Sequence, residues 1–428
     1  MTQEPPHLGA LPPELFDRIF FELDRIRDLA NFIVTARFVY HRFSARRQTI
    51  LFRVLQNELG PALPDARFLF VFPYSDPTDK VLYYEWIHVM AGVYRDMLAG
   101  GEGHGVRGYP GPPTVEELTE LCRTLHLINY ITDTYVTAQF ASFDLVGGGG
   151  TPATAALSRP ERCRVMRAFY RRQIVSNAWA STKRPAYWDD LDSDAFSNRS
   201  TKQGRRLGLF AAFDPWDLQQ IDHADYFITH LCCALVHRAA EVAAAAGGGG
   251  REISPRQFGN LHARLDHLVR YLRAHRGVAK AAVGDLQSGK SLPHDERLEK
   301  EFVYRYQLLP LAYCWQSHRS QSFPDPILDR QEQDGLPMDS LAGDGPGQVP
   351  FGWSDALGGC HVRWYGAGLG CIPWLPPWES SEKSWAHTCA IDLWRLSGFA
   401  LWERKRVEAL KRLSRFEALQ MGFVLDRS

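Results

Sequence analysis

Residues 11–23 read Leu-Pro-Pro-Glu-Leu-Phe-Asp-Arg-Ile-Phe-Phe-Glu-Leu. Paired prolines suit the start of a helix, where a missing N–H costs nothing. Glu14 complements the positive end of the helix dipole. Leu15, Ile19 and Leu23 recur at four-residue spacing on one stripe, and Phe16 and Phe20 form the adjoining stripe. Asp28 stands where a second helix needs a cap, ahead of Leu29, Phe32, Ile33 and Ala36. Tyr40 and Phe43 close a third short element. A fourth helix is expected from Arg47 to Leu59, with Ile50, Leu51, Val54 and Leu55 inward and Gly60-Pro61 as its stop. Helices this short enclose little core. Their apolar excess must be covered by the rest of the chain or by a partner.

Beyond residue 60 the same helical grammar continues. Thr114 and Glu117 form one capping-box pair, Ser158 and Glu161 another. Asp214-Pro215 and Ser254-Pro255 place a cap before a proline at the first helical position. The Ser254 signal predicts one helix through Phe258, Leu261, Leu265, Leu268 and Leu272, stopped by Gly277. Gly- and Pro-rich breaks at Gly100–Pro113, Gly147–Pro152, Thr182–Arg206, Ala243–Gly250 and Gln331–Pro350 separate these segments and read as loops. Alternating strand patterns are rare. The expected fold is all-α: a short N-terminal helical motif over residues 8–60, then a large irregular helical domain over residues 61–428. Trp216, Trp353, Trp364, Trp374, Trp378, Trp394 and Trp402 are expected to anchor its core.

The composition excludes several classes. The chain has 428 residues, with 49 Lys+Arg against 49 Asp+Glu, so a dominant phosphate-backbone binder is not expected. No long uninterrupted apolar run suggests a membrane span, and the first residues lack the pattern of a secretory signal. Eight cysteines without a CxxC fit a reducing compartment, cytoplasmic or nuclear.

Few motifs bear chemistry. Gly284 to Ser291 spells GxxxxGK[ST], which would make the chain a P-loop nucleotide-binding enzyme. A P-loop needs a strand before it and a helix after it; Lys280 breaks the preceding apolar run, and Pro293 interrupts the helix that should follow. Gly103 to Gly108 fits GxGxxG inside a Gly-Pro loop, the context of a linker. His223, His230 and His237 are seven residues apart, too far to share one metal. Cys360, Cys371, His387 and Cys389 match no structural-zinc spacing. Arg162, Arg164, Arg167, Arg171 and Arg172 read as one solvated helix face. No catalytic residue, metal or cofactor is expected.

The segments LPPELFDRIFFEL (11–23) and RDLANFIVTARFVYHRF (27–43) resemble the F-box, which opens on Leu-Pro-x-Glu-Leu and closes on an aromatic. The following QTILFRVLQNELGPALPDA (48–66) is similar to the segment after the F-box in a group of filamentous-fungal F-box proteins. So are MRAFYRRQIVSNAW (166–179), FAAFDPWDLQQIDHADYF (210–227) and SGFALWERKRVEAL (397–410). Two departures stand out: the step from Leu23 to Leu29 is one residue longer than usual, and Ala36-Arg37-Phe38-Val39 replaces the commoner Cys-Arg-x-Phe.

The resemblance implies a non-catalytic adaptor. Its F-box helices would enter a groove of a Skp-type subunit of a cullin–RING ubiquitin ligase, of the SCF type, while the rest of the chain presents an unknown protein substrate. Leu11, Pro12, Leu15, Ile19 and Leu23 are the implied contact residues, with Leu29 and Ile33 beside them. A scaffold that binds the Skp-type subunit without delivering substrates is the alternative.

Overall fold

The computed structural model describes residues 11–75, 79–99, 112–147, 155–179, 195, 208–213, 215–245, 253–288, 342–343, 349–350 and 401–411. Helices dominate these residues. The N-terminal ones are α1 (Pro13–Phe21), α2 (Ile26–Ile33), α3 (Arg37–Ala45) and α4 (Arg47–Leu59). Gly60 ends α4 with φ 49°, a left-handed backbone that glycine adopts without strain. Then come α5 (Leu63–Val71), α6 (Lys80–Leu98), α7 (Val115–Gly147), α8 (Arg159–Trp179) and α9 (Pro215–Ala245). The series closes with α10 (Pro255–Ala263), α11 (Leu265–Ala274), α12 (Arg276–Gln287) and α13 (Arg404–Lys411). Within the Gln331–Pro350 stretch read as a loop, Ala342–Gly343 and Val349–Pro350 instead pair as two short parallel strands.

Phe16, Phe20, Leu29, Val39, Phe43, Ile50 and Val54 close a small N-terminal core among α1–α4. The main core joins α4 and α5 to α7–α13. A third cluster packs α6 against α5 and the end of α8, with Phe68, Phe72 and Tyr94 stacked at its centre. Helix α4 belongs to two cores at once: Ile50 and Val54 face the first, Leu55 and Leu59 the second.

Helix α8 overturns the solvated-face reading of its arginines. From Cys163 to Trp179 nearly every residue is buried, including Arg164, Arg171 and Arg172. Each guanidinium is neutralised or hydrogen-bonded inside. Arg167 and Arg171 both donate to Asp65 at 3.1 Å. Arg172 donates to Asp225 at 2.9 Å, and Arg164 to the Leu401 carbonyl at 2.9 Å. Buried arginine persists only with such partners.

Polar side chains of α8 also explain why residues 255–276 form two helices rather than one. Gln173 accepts from the Leu265 N–H at 2.9 Å and donates to the Ala263 carbonyl at 3.0 Å; Ser176 donates to that carbonyl at 2.7 Å. These bonds take the backbone groups that a continuous helix would have paired internally. Arg264 between them is extended, at φ −131° and ψ 107°. Gly277 is not a stop but lies inside the first turn of α12.

The two capping boxes fare differently. Ser158 and Glu161 bond reciprocally, each at 3.2 Å. Thr114 caps the Glu117 N–H at 3.1 Å, whereas the Glu117 carboxylate turns to Arg67 at 2.6 Å in a buried ion pair. Trp402 is fully buried against Tyr135, Phe140 and Phe143. The other tryptophans named above lie outside the residues whose side chains are described. Among the described residues one stretch, His223–Ala245 of α9, is long and apolar enough to cross a membrane. In this fold Ile228, Leu231 and Leu235 of that stretch are buried in the main core.

Candidate partner-binding surface

Helix α1 divides its apolar residues between two duties. Phe16 and Phe20 point into the small core, where Phe20 meets Phe32 and Phe16 meets Phe38 edge-on at 5.3 and 5.6 Å between ring centroids. Leu15 and Ile19 lie outside that cluster, and Leu15 is 41% exposed. Pro12 is exposed beside them. Leu11, Leu23 and Ile33 are half-buried and pack against the core. Leu29 is a correction to the contact set, because at 2% exposure it is a core residue. Its helix begins at Ile26, three residues before the first position that a cap at Asp28 would give.

The true start of α2 is set from outside the helix. Asp28 makes no side-chain cap; Glu58 of α4 accepts from the Ile26 N–H at 2.7 Å. Asn57 donates to the carbonyls of Phe21 and Leu23, at 2.7 and 3.0 Å, closing the end of α1. One turn of α4 therefore holds the α1–α2 corner and fixes how the α1 face is presented.

Leu15, Val34, Phe38 and Tyr40 are four of the ten exposed large apolar residues among those described, all within residues 15–40. The sequence marks Tyr40 only as closing a short element and Phe38 only within Ala36-Arg37-Phe38-Val39, and Val34 in the α2–α3 turn carries no signal. Only the positions of Val39 and Phe43 in the core show that their neighbours face outward.

The chemistry-bearing strings find no shared site. Gly284–Gln287 form the last turn of α12, so the first half of the P-loop string is helical; Lys290 and Ser291 lie outside the described residues. His223 is buried against Tyr135, and His237 pairs with Glu241 on the same helix. The Cys360, Cys371, His387 and Cys389 set and the Gly103–Gly108 string lie outside the described residues. Among the described residues no cluster of ligating side chains could hold a metal. Burial raises the Cys122 thiol to about 11, with Glu58 adding to it, and burial also raises Cys163. Both stay protonated at neutral pH and offer no thiolate. Comparison with protein-family models, with curated proteins and with solved structures gives no match.

Proposed function

We propose that this chain is an F-box-type substrate adaptor of a cullin–RING ubiquitin ligase, holding a Skp-type subunit through the outer face of α1. The observation that carries the reading is the division of labour on that helix. Phe16 and Phe20 are spent on the core, while Pro12 and Leu15 are exposed and Ile19 lies half-buried outside the core cluster. Leu15 and Ile19 are one turn apart, so both can enter one groove. The chain makes and breaks no bond in this role. It raises the local concentration of a substrate near the ligase.

The test is co-purification of the Skp-type subunit with the full chain and its variants. Burying the exposed part of Leu15 is worth about 1 kcal/mol, so Leu15→Ala should weaken the complex about fivefold. Leu15→Asp also carries the cost of desolvating a carboxylate and should abolish it. Since Leu15 lies outside the core, both variants should unfold at the wild-type urea midpoint. Undiminished capture by folded Leu15→Asp would remove this face as the binding site. Transfer of ubiquitin to a co-purifying protein separates an adaptor from a scaffold.

A further inference from the structure

We propose that the groove between the N-terminal helices and the body binds a short acidic peptide segment bearing an apolar side chain. The groove encloses about 670 Å³, within the range of ligand sites. Ala30 of α2 and Asn57 of α4 wall one side, and α7 and α8 the other. Ile26, Leu125, Leu157 and Met166 give it an apolar lining.

Four arginines, Arg25, Arg27, Arg159 and Arg162, line it against three carboxylates, Asp24, Glu58 and Asp133. The carboxylates are already engaged: Asp133 accepts from Arg162 at 2.8 Å, Asp24 faces Arg159 at 3.7 Å, and Glu58 accepts from Ile26 and Asn129. Arg25 and Arg27 line the groove, exposed, with no side-chain hydrogen bond or ion pair among the described residues. Arg273 reaches the rim through His126 at 2.8 Å and lies over Tyr130, without a carboxylate partner. Positive charge is thus in excess around an apolar lining, the complement of acidic side chains flanking an aliphatic one.

The inference deepens the adaptor reading, on which it rests for the partner's being a protein. A peptide held here touches both the N-terminal helices and the body, at a fixed offset from Leu15.

Fluorescence polarisation on the full chain tests it, with the fluorescein-labelled peptide EDLEDLE and the charge-reversed KRLKRLK at about 0.1 M salt. The acidic peptide should bind saturably and the basic one should not. The Arg25→Glu, Arg27→Glu double variant should weaken binding at least about tenfold. Ala30→Tyr, at an exposed wall position, should obstruct the groove and weaken it too. Circular dichroism verifies that both variants fold. Leu15→Asp should bind EDLEDLE as the wild type does, so the groove and the Skp-type surface fail independently. Equal binding of the two peptides, no saturable binding of EDLEDLE, or unchanged affinity in both folded groove variants would overturn the proposal.

Discussion

Leu15 and Phe16 are adjacent, similar in hydrophobicity and opposite in fate: one is exposed, the other 2% exposed. A 100° turn of the helix is all that separates them. His262 shows the same dependence on surroundings at a buried polar site. Its ring is 2% exposed, 3.2 Å from the Arg172 guanidinium, 3.0 Å from the Thr229 hydroxyl and stacked on Phe258. Burial lowers its pKa to about 4; Asp225 at 3.5 Å works against the drop and Arg172 adds to it. The folded chain therefore holds His262 neutral where the unfolded chain, near 6.5, would protonate it. Its contribution to stability is complete above pH 6.5, falls as pH drops towards 4, and levels off below. Up to about 3 kcal/mol is at stake across that window. Urea midpoints between pH 4.5 and 7 should fall more steeply for wild type than for His262→Gln. Parallel slopes would show that His262 is not the group responsible.

At the scale of elements, helix ends here are finished by other helices. Glu161 illustrates it: within the Ser158 box it also accepts from the Glu403 N–H at 3.0 Å and from Arg406 at 2.9 and 2.8 Å. Burial alone would raise its carboxyl, but the bonds from Arg406, Glu403 and Ser158 hold it below the usual range. One carboxylate thus caps α8 and docks α13, together with Trp402. Glu161→Ala should release α13, because it removes the carboxylate that neutralises the buried Arg406 guanidinium, at a cost of about 3 kcal/mol. Limited proteolysis should then cut between α12 and α13 and free a C-terminal fragment that wild type retains after cleavage. The Glu161→Ala, Arg406→Ala pair should show a coupling above about 1 kcal/mol in a double-mutant cycle. Additive losses would mean that the two ends are held separately.

For the whole molecule, α4 decides where the chain can be divided. A boundary at residue 60 follows the composition, yet Leu55 and Leu59, both fully buried, belong to the main core. A fragment of residues 1–62 would expose them, along with Leu51 and Phe52, which also pack against that core. It should self-associate in sedimentation runs and bind a hydrophobic dye, whereas the full chain should not. A monomeric, dye-silent fragment would show that the N-terminal helices are independent of the body.

The sequence by itself determined the helical class, the start of α1 at the paired prolines, the span of α4 and its glycine stop, and the Ser158 box. These depend on a few neighbouring residues: a proline ring, a side chain three positions from an N–H, an apolar stripe at helical spacing. It could not place the α2 start at Ile26, the break at Arg264 or the buried arginines of α8. Each of those was decided by a partner far along the chain, Glu58 for Ile26 and Gln173 for Leu265, Asp65 and Asp225 for the arginines. The candidate surface divides the same way. Leu15 and Ile19 were legible as a stripe, but only the packing of Phe16, Phe20 and Leu29 shows which apolar residues are left to face outward. A backbone N–H or a guanidinium is satisfied equally well by a near or a distant oxygen, and only the tertiary structure brings the distant one within reach.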